Sequence, residues 1–370
     1  MQLAKFILLL VAAALFVRPA QAEDWKIVHE QGRDYVSFAN VAQFYHFQKF
    51  SRVSRTIALR GDRRVIRAQG GTSEFLINGV RFFSDFPLLA NADANLISAV
   101  DVAKIIEPIL RPSKIKGAGK IETVVLDPGH GGTDNGAAGR WGSEKTYALD
   151  VALTAREELL RAGFKVEMTR AGDQTVSLEQ RIAFANHFAH ALFISIHFNS
   201  APAGAGVESY ALAPAGVPSN AASENHAEAT ETGWCPGNAQ DAANMALTAA
   251  VHGAILSRVS VFDRGVRHAR FYVLRDCKIP AVLVEAGFLS DRNEGALIAT
   301  APYRQKLGRA IAQAVESYNA AVSFHAGPAL VATAKNLPPH THSIVEPLGG
   351  ATPAPPAPAQ TPSAVIDGSN

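Results

Sequence analysis

Four side chains in this sequence have the types and settings for hydrolytic chemistry at a metal: His130, Glu144, His197 and Glu285. His130 stands in the run Leu126-Asp127-Pro128-Gly129-His130-Gly131-Gly132. This is a glycine-dense turn directly after the strand-like Val124-Val125-Leu126, and its bare neighbours leave the imidazole open to a ligand. Two neutral imidazoles and one carboxylate make a suitable first coordination sphere for zinc, with a fourth position left for water. Zinc lowers the pKa of water and polarises a carbonyl. A second carboxylate outside that sphere can take the proton and pass it to a leaving amine. The residues alone do not say which glutamate is the ligand. Each also has a plainer reading: Glu144 as a helix-start carboxylate favoured by the macrodipole, and Glu285 as the partner of Arg264 or Arg292.

The elements that must position these groups read as an α/β pattern. Val124–Leu126 is a buried strand, followed by a helix from Glu144 to Leu160 with Tyr147, Val151, Ala155 and Leu159 at four-residue spacing, stopped by Gly163. Phe164, Val166 and Met168 alternate as a strand. Leu178–Ala189 is a helix, and Leu192–Ile196 and Gly206–Leu212 are strands. Asp241–Val259 is a helix, Ala281–Val284 a buried strand and Pro302–Tyr318 the last helix. Strands alternating with helices predict a mixed sheet flanked by helices. On this map His130, His197 and Glu285 fall just past strand ends, where such sheets build their sites, and Glu144 opens a helix.

Over about 122–320 the chain resembles the zinc-dependent N-acetylmuramoyl-L-alanine amidases of bacterial cell walls. The motifs that carry the resemblance are Leu126–Gly132, Glu144-Lys145, Ser195-Ile196-His197-Phe198-Asn199-Ser200 and Val284-Glu285-Ala286-Gly287-Phe288-Leu289-Ser290. Thr169-Arg170 with Asp173, Ser177-Leu178 with Arg181, and Arg264-Gly265-Val266 support it. The resemblance implies that His130, Glu144 and His197 are ligands of one zinc ion and that Glu285 is the catalytic glutamate. It also implies an α/β amidase domain in which zinc-activated water cleaves the amide between N-acetylmuramic acid and the L-alanine of the peptidoglycan stem peptide. The glycines around His130 would then leave room for a bulky glycan-linked amide. Two other readings stand beside this one. A zinc carboxypeptidase acting on wall peptides could use the same site, but it needs an arginine for the terminal carboxylate, and the sequence identifies none. A non-catalytic wall-binding protein on an amidase scaffold is disfavoured by the presence of all four residues.

The 370 residues are 48% hydrophobic and 18% charged with a net charge of +2. That composition fits a globular protein with a real core and gives no support for nucleic-acid binding. Residues 1–22 read as a signal peptide: Lys5, an apolar run from Phe6 to Val17 too short to span a bilayer, and the cleavage site Ala20-Gln21-Ala22. The mature protein is therefore expected to be exported, to the periplasm or cell envelope, with no membrane span. Residues 23–112 read as a small α+β accessory module with a hairpin turn at Asn78-Gly79. The module resembles copper amine oxidase N-terminal-like domains, and its expected role is contact with the wall or an envelope partner, or else that of a packing or folding aid. Residues 113–120 read as a linker, 121–322 as the catalytic domain and 323–370, which holds His340 and His342, as a disordered Ala/Pro-rich tail. Cys235 and Cys277 could form a disulfide or remain two thiols. The long stretch Ala213–Asp241, with Glu224, Glu228 and Glu231, reads as a plain surface loop, or else as a segment that gates the cleft or contacts glycan. Asp134 either orients His130 or caps a turn, Asn199 holds a loop or the substrate, and Arg181 pairs inside the fold. His268 reads as an exposed loop histidine or as a residue touching substrate near the zinc, and His187, His190 and His252 as packing or surface residues.

Overall fold

The computed structural model describes residues 25–221 and 231–323. The proposed signal peptide, the tail with His340 and His342, and Glu224 and Glu228 lie outside them. Among the described residues no helix is long and apolar enough to cross a membrane.

One mixed sheet of eleven strands runs through most of the chain. Its central strands are β10 (Thr123–Pro128), β14 (Ala191–Asn199) and β17 (Ala281–Phe288), paired in parallel, with β13 (Lys165–Met168) outside β10. β10 is buried throughout and β14 as far as Ile196, as continuous apolar runs in a sheet covered on both faces require. On the other side of β17 lies β15 (Val207–Leu212), antiparallel to it, and then β16 (Asp263–Ala269), parallel to β15. Helices α2 (Glu144–Arg161), α4 (Asp241–Arg258) and α5 (Ala301–Ser323) cover one face over the larger apolar cluster. α5 packs on both α2 and α4. On the other face Val125, Phe193, Tyr210 and Leu283 form a smaller cluster beneath α3 (Leu178–Ala185), which starts with a Ser177/Gln180 capping box.

The sheet does not stop at the predicted module boundary. In the N-terminal region, β1 (Ile27–Glu30) and β2 (Arg33–Ser37) precede α1 (Phe38–Phe44). Five antiparallel strands of the large sheet follow: β3 (Lys49–Val53), β4 (Thr56–Arg60), β5 (Val65–Gln69), β6 (Glu74–Ile77) and β7 (Val80–Phe83); β8 (Leu89–Ala90) and β9 (Asn95–Ser98) then complete a small separate sheet with β1 and β2. β6 and β7 turn at Asn78 and Gly79, both with positive φ (53° and 90°), as a tight hairpin of this sequence demands. β7 then pairs with β16 through Val266 and Phe82, so the N-terminal strands extend the sheet. Two contacts fasten this seam: the Arg81 amide donates to Asp263 Oδ2 at 2.9 Å, and the Asp85 carboxylate lies 2.6 Å from His268 Nδ1. Within the N-terminal region the Asp85 amide donates to Asp101 Oδ1 at 2.7 Å. His268 is thus not an exposed loop residue: it lies in β16, buried against the N-terminal region. Sequence periodicity could not place it there because its partner is 183 residues away.

The ends of the Ala213–Asp241 stretch are pinned. Buried Arg270 donates to the Pro214 carbonyl and to the Gly233 carbonyl, both at 2.9 Å, and the Gly216 amide donates to Thr232 O at 2.8 Å. Cys235 and Cys277 are both free thiols, and burial pushes the Cys277 thiol up to about 12. His252 is buried between Ser209 Oγ and Asp263. His187 and His190 lie just beyond α3 and are exposed.

Asp85 and His268 are fully enclosed (0% and 2% exposed side chains), so Asp85→Ala leaves a buried imidazole without its charge partner. It should cost about 3–5 kcal/mol, the range for breaking a buried pair. Because the sheet is continuous, urea unfolding followed by circular dichroism should still show a single transition at a lower midpoint. A loss below about 1 kcal/mol, or a separate transition for the N-terminal region, contradicts this.

Candidate metal centre

His130 follows β10 in a turn that its own sequence makes tight. Its φ is +59°, in the left-handed region that costs a non-glycine residue about 1–2 kcal/mol. Two buried guanidinium groups hold it there. Arg181 donates to Pro128 O at 2.8 Å and His130 O at 2.7 Å, and Arg170 donates to Pro128 O at 3.0 Å and Gly129 O at 2.8 Å. Buried Asp127 balances them: it pairs with Arg181 at 2.6 Å and accepts from Thr169 Oγ1 at 2.6 Å and Ser195 Oγ at 2.7 Å. Arg170 also donates to the Lys145 carbonyl at 2.7 Å, which ties the same turn to the start of α2.

Glu144 is the first residue of α2, and its side chain is nearly enclosed (4% exposed). Its Oε1 lies 2.8 Å from His197 Nδ1 and accepts from the Phe198 amide at 3.0 Å. Its Oε2 lies 3.1 Å from His130 Nε2 and accepts from the Ala137 amide at 2.7 Å. Burial alone would raise this carboxyl's pKa, but the hydrogen bonds from His130 and His197 hold it well below the usual range. For His130, burial disfavours the charged form, and the Glu144 and Asp134 carboxylates outweigh it and raise the pKa. Asp134 Oδ2 lies 2.7 Å from His130 Nδ1 while Oδ1 accepts from the Gly136 amide at 2.9 Å. It therefore both orients the ring and caps the turn.

One nitrogen from each imidazole and one Glu144 oxygen lie within 4.8 Å of one another. Tetrahedral zinc with bonds of about 2.0–2.1 Å needs ligand atoms about 3.3 Å apart, so this donor set and spacing fit a small divalent ion. With Nδ1 of His130 taken by Asp134, Nε2 is the nitrogen left to bind it, the usual division of labour at such sites.

His197 and Glu285 do not sit past strand ends as the sequence suggests. Both lie inside strands, opposite each other in the β14–β17 register, and Glu285 is also opposite Glu208 of β15. The strands run on because parallel pairing continues to this point; a register shift follows between His197 and Asn199. Glu285 pairs with neither Arg264 nor Arg292. Arg264 binds Glu208 instead, at 2.9 Å, and the buried Glu285 Oε2 has no hydrogen-bond partner among the described residues. Burial, then the charges of Glu144 and Glu208, push the Glu285 carboxyl well above the usual range.

The glycines serve a different purpose from the expected one. A Cβ on Gly129 would collide with the His197 ring, and one on Gly136 with His130 and Glu144. Those on Gly131 and Gly132 would strike Arg170 and Thr175. The space is filled by the protein's own side chains, which packs the two imidazoles and the carboxylate together rather than clearing a path for substrate.

A family model described as N-acetylmuramoyl-L-alanine amidase matches residues 124–317, a little over half the chain. The chain belongs to the N-acetylmuramoyl-L-alanine amidase family. The family-matched span contains His130, Glu144, His197 and Glu285. N-acetylmuramoyl-L-alanine amidase AmiA of Escherichia coli is 35% identical over 232 residues, covering 56% of this chain and 79% of that protein. The sporulation-specific N-acetylmuramoyl-L-alanine amidase of Bacillus subtilis is 32% identical over 195 residues, 52% of this chain and 66% of that one. The solved catalytic domain of CwlV, an N-acetylmuramoyl-L-alanine amidase from Bacillus (Paenibacillus) polymyxa var. colistinus, aligns with 54% of this chain and 98% of its own at 29% identity and a TM-score of 0.44.

Sequence reasoning missed Glu208, Asp127 and Arg170 as parts of this amidase-family site. Glu208 and Arg264 had a signal in hindsight, a charged residue inside each of two otherwise buried strands. Asp134→Ala removes the acceptor that orients His130 and should weaken metal binding about 10–100-fold, as read by competition with a chromophoric chelator. Unchanged affinity would show that Asp134 only caps its turn.

Proposed function

We propose that this protein is a zinc-dependent peptidoglycan amidase that hydrolyses the bond between the lactyl group of N-acetylmuramic acid and the L-alanine of the stem peptide. The observation that carries the reading is the Glu285 carboxylate. It is half-buried with one oxygen unpartnered, in register beside a His–Glu–His donor set. Family membership supplies the substrate class, and the curated relatives carry that activity in their names.

His130, Glu144 and His197 would hold the ion. A bound zinc ion supplies Lewis-acid polarisation and a lowered pKa for water. The chain's own part is proton handling and placement. Glu285 is held rigidly in a central strand, so its carboxylate takes a proton from water and returns it to the alanine nitrogen without reorganising. Desolvation and the neighbouring carboxylates raise its proton affinity, which suits a group that must hold a proton between the two steps. Asp134 fixes the His130 tautomer. The Arg170–Arg181–Asp127 set keeps the strained turn from relaxing, so the donor set is preformed. The cell-wall relatives point to work outside the cytoplasm, and the proposed signal peptide at residues 1–22 fits that placement. Contact with the wall or an envelope partner remains the proposed role of residues 23–112.

Glu285→Gln, nearly isosteric but unable to take the proton, should lower kcat on purified sacculi at least about 10²-fold while stoichiometric zinc stays bound. Retained wild-type turnover would remove Glu285 from its role. Mass spectrometry of wild-type digests should show intact stem peptides beginning with L-alanine, abolished by chelator and restored by zinc. Release of single terminal amino acids would instead indicate a carboxypeptidase.

A further inference from the structure

Arg264 stands beside the row of charged groups that leads to Glu285, at a place where the sheet is deliberately irregular. In the β15–β16 pairing, Val207 is opposite Asp263 and Glu208 opposite Gly265, so Arg264 is the extra, unpaired residue of a bulge. Bulges of this kind re-aim a side chain and gather next to active sites. Gly265, at φ +92°, completes the kink. The re-aimed guanidinium is fixed on two sides. Its Nε donates to Glu208 Oε2 at 2.9 Å, and its plane lies 4.7 Å from the centre of the Phe288 ring. Glu208 is itself immobilised: it is buried, and its other oxygen accepts from Asn199 Nδ2 at 3.1 Å. Glu208 is directly opposite Glu285, and residues so paired share one face of the sheet about 5 Å apart.

This arrangement uses one of the five N–H groups of the arginine. Nη1 and Nη2 take no hydrogen-bond partner among the described residues, and the side chain is 28% exposed. A pair serving only to neutralise Glu208 would place the terminal fork on the carboxylate. Here the fork is left over, on a mount fixed to Glu208, which is itself in register with Glu285. A free guanidinium fork matches a carboxylate bidentately.

We propose that Arg264 is a substrate-binding residue that pairs with the first free carboxylate of the stem peptide. The proposal rests on the amidase reading of the site. In that substrate the lactyl carboxyl of the sugar is tied up in the scissile amide, so the carboxylates available to a cation belong to the peptide. Pairing there fixes the amide against Glu285 and selects peptide-bearing muramic acid over bare glycan.

The test compares two muropeptides that differ only at that carboxylate, free in one and amidated in the other, with zinc-loaded protein. Wild type should prefer the free carboxylate in kcat/KM by about tenfold or more, the usual range for a charge-assisted hydrogen bond. R264Q should bring the ratio close to one, mainly through KM, with zinc content unchanged. R264K, which keeps the charge but loses the fork, should retain part of the preference, and it serves in place of R264Q if that variant does not fold. A wild-type ratio near one overturns the proposal. So does an equal loss on both substrates in the variants, the signature of an arginine that merely holds Glu208. Failure of the amidase reading looks different: wild type would then hydrolyse neither muropeptide.

Discussion

The Glu144 carboxylate is the contact on which the rest of the site depends. It is almost completely enclosed and meets two imidazoles and two backbone amides with its two oxygens. A carboxylate so buried is costly unless its oxygens are partnered, and here both are, each by one backbone amide and one imidazole. The arrangement demands that three separate stretches of chain arrive at one point: the turn after β10, the first residue of α2, and the outer part of β14. The buried Asp127–Arg181 pair and the Arg170 guanidinium meet that demand from below, by holding the carbonyls of residues 128–130 in a conformation that the backbone would otherwise leave. The glycines make the convergence sterically feasible, since side chains at 129 or 136 would occupy the space of the imidazoles.

Around this point the sheet is irregular in ways that matter for chemistry. A register shift in β14–β17 follows His197, and a bulge in β16 frees Arg264. Between them Glu285 is in register with His197 on one side and Glu208 on the other. Acidic groups so close raise one another's proton affinity, and Arg264 offsets the accumulated charge from the far end. The N-terminal strands bear on this directly, because they join the sheet at β16 and bury His268 and Asp263 against Asp85 and Arg81. The part of the chain that reads as an accessory module therefore buttresses the strand that carries Arg264.

Much of the catalytic architecture was legible because it depends on local signals. Apolar runs marked β10, β14 and β17, four-residue spacing marked α2, and Asn78-Gly79 marked a hairpin turn. What escaped was non-local. The continuity of the sheet rests on a pairing between Phe82 and Val266, which neither strand's composition reveals. His268 looked like a surface residue because its acidic partner is far away in sequence. Glu208 went unassigned and Arg264 was matched to Glu285 instead, because strand periodicity cannot foresee a bulge, and the bulge is what brings Arg264 to Glu208. The glycine-rich turn reads in the sequence as open space for a ligand and a bulky amide, whereas that space is filled by the site's own His130, Glu144 and His197.

The proposed arrangement, one preformed donor set holding the ion, is tested most directly by anomalous X-ray diffraction collected on either side of the zinc absorption edge, from crystals of the zinc-loaded protein. The predicted result is a single strong peak about 2.0–2.2 Å from His130 Nε2, a Glu144 oxygen and His197 Nδ1, with Glu285 near but not bound. A peak that excludes Glu144, or that includes Glu285 as a ligand in its place, would contradict it.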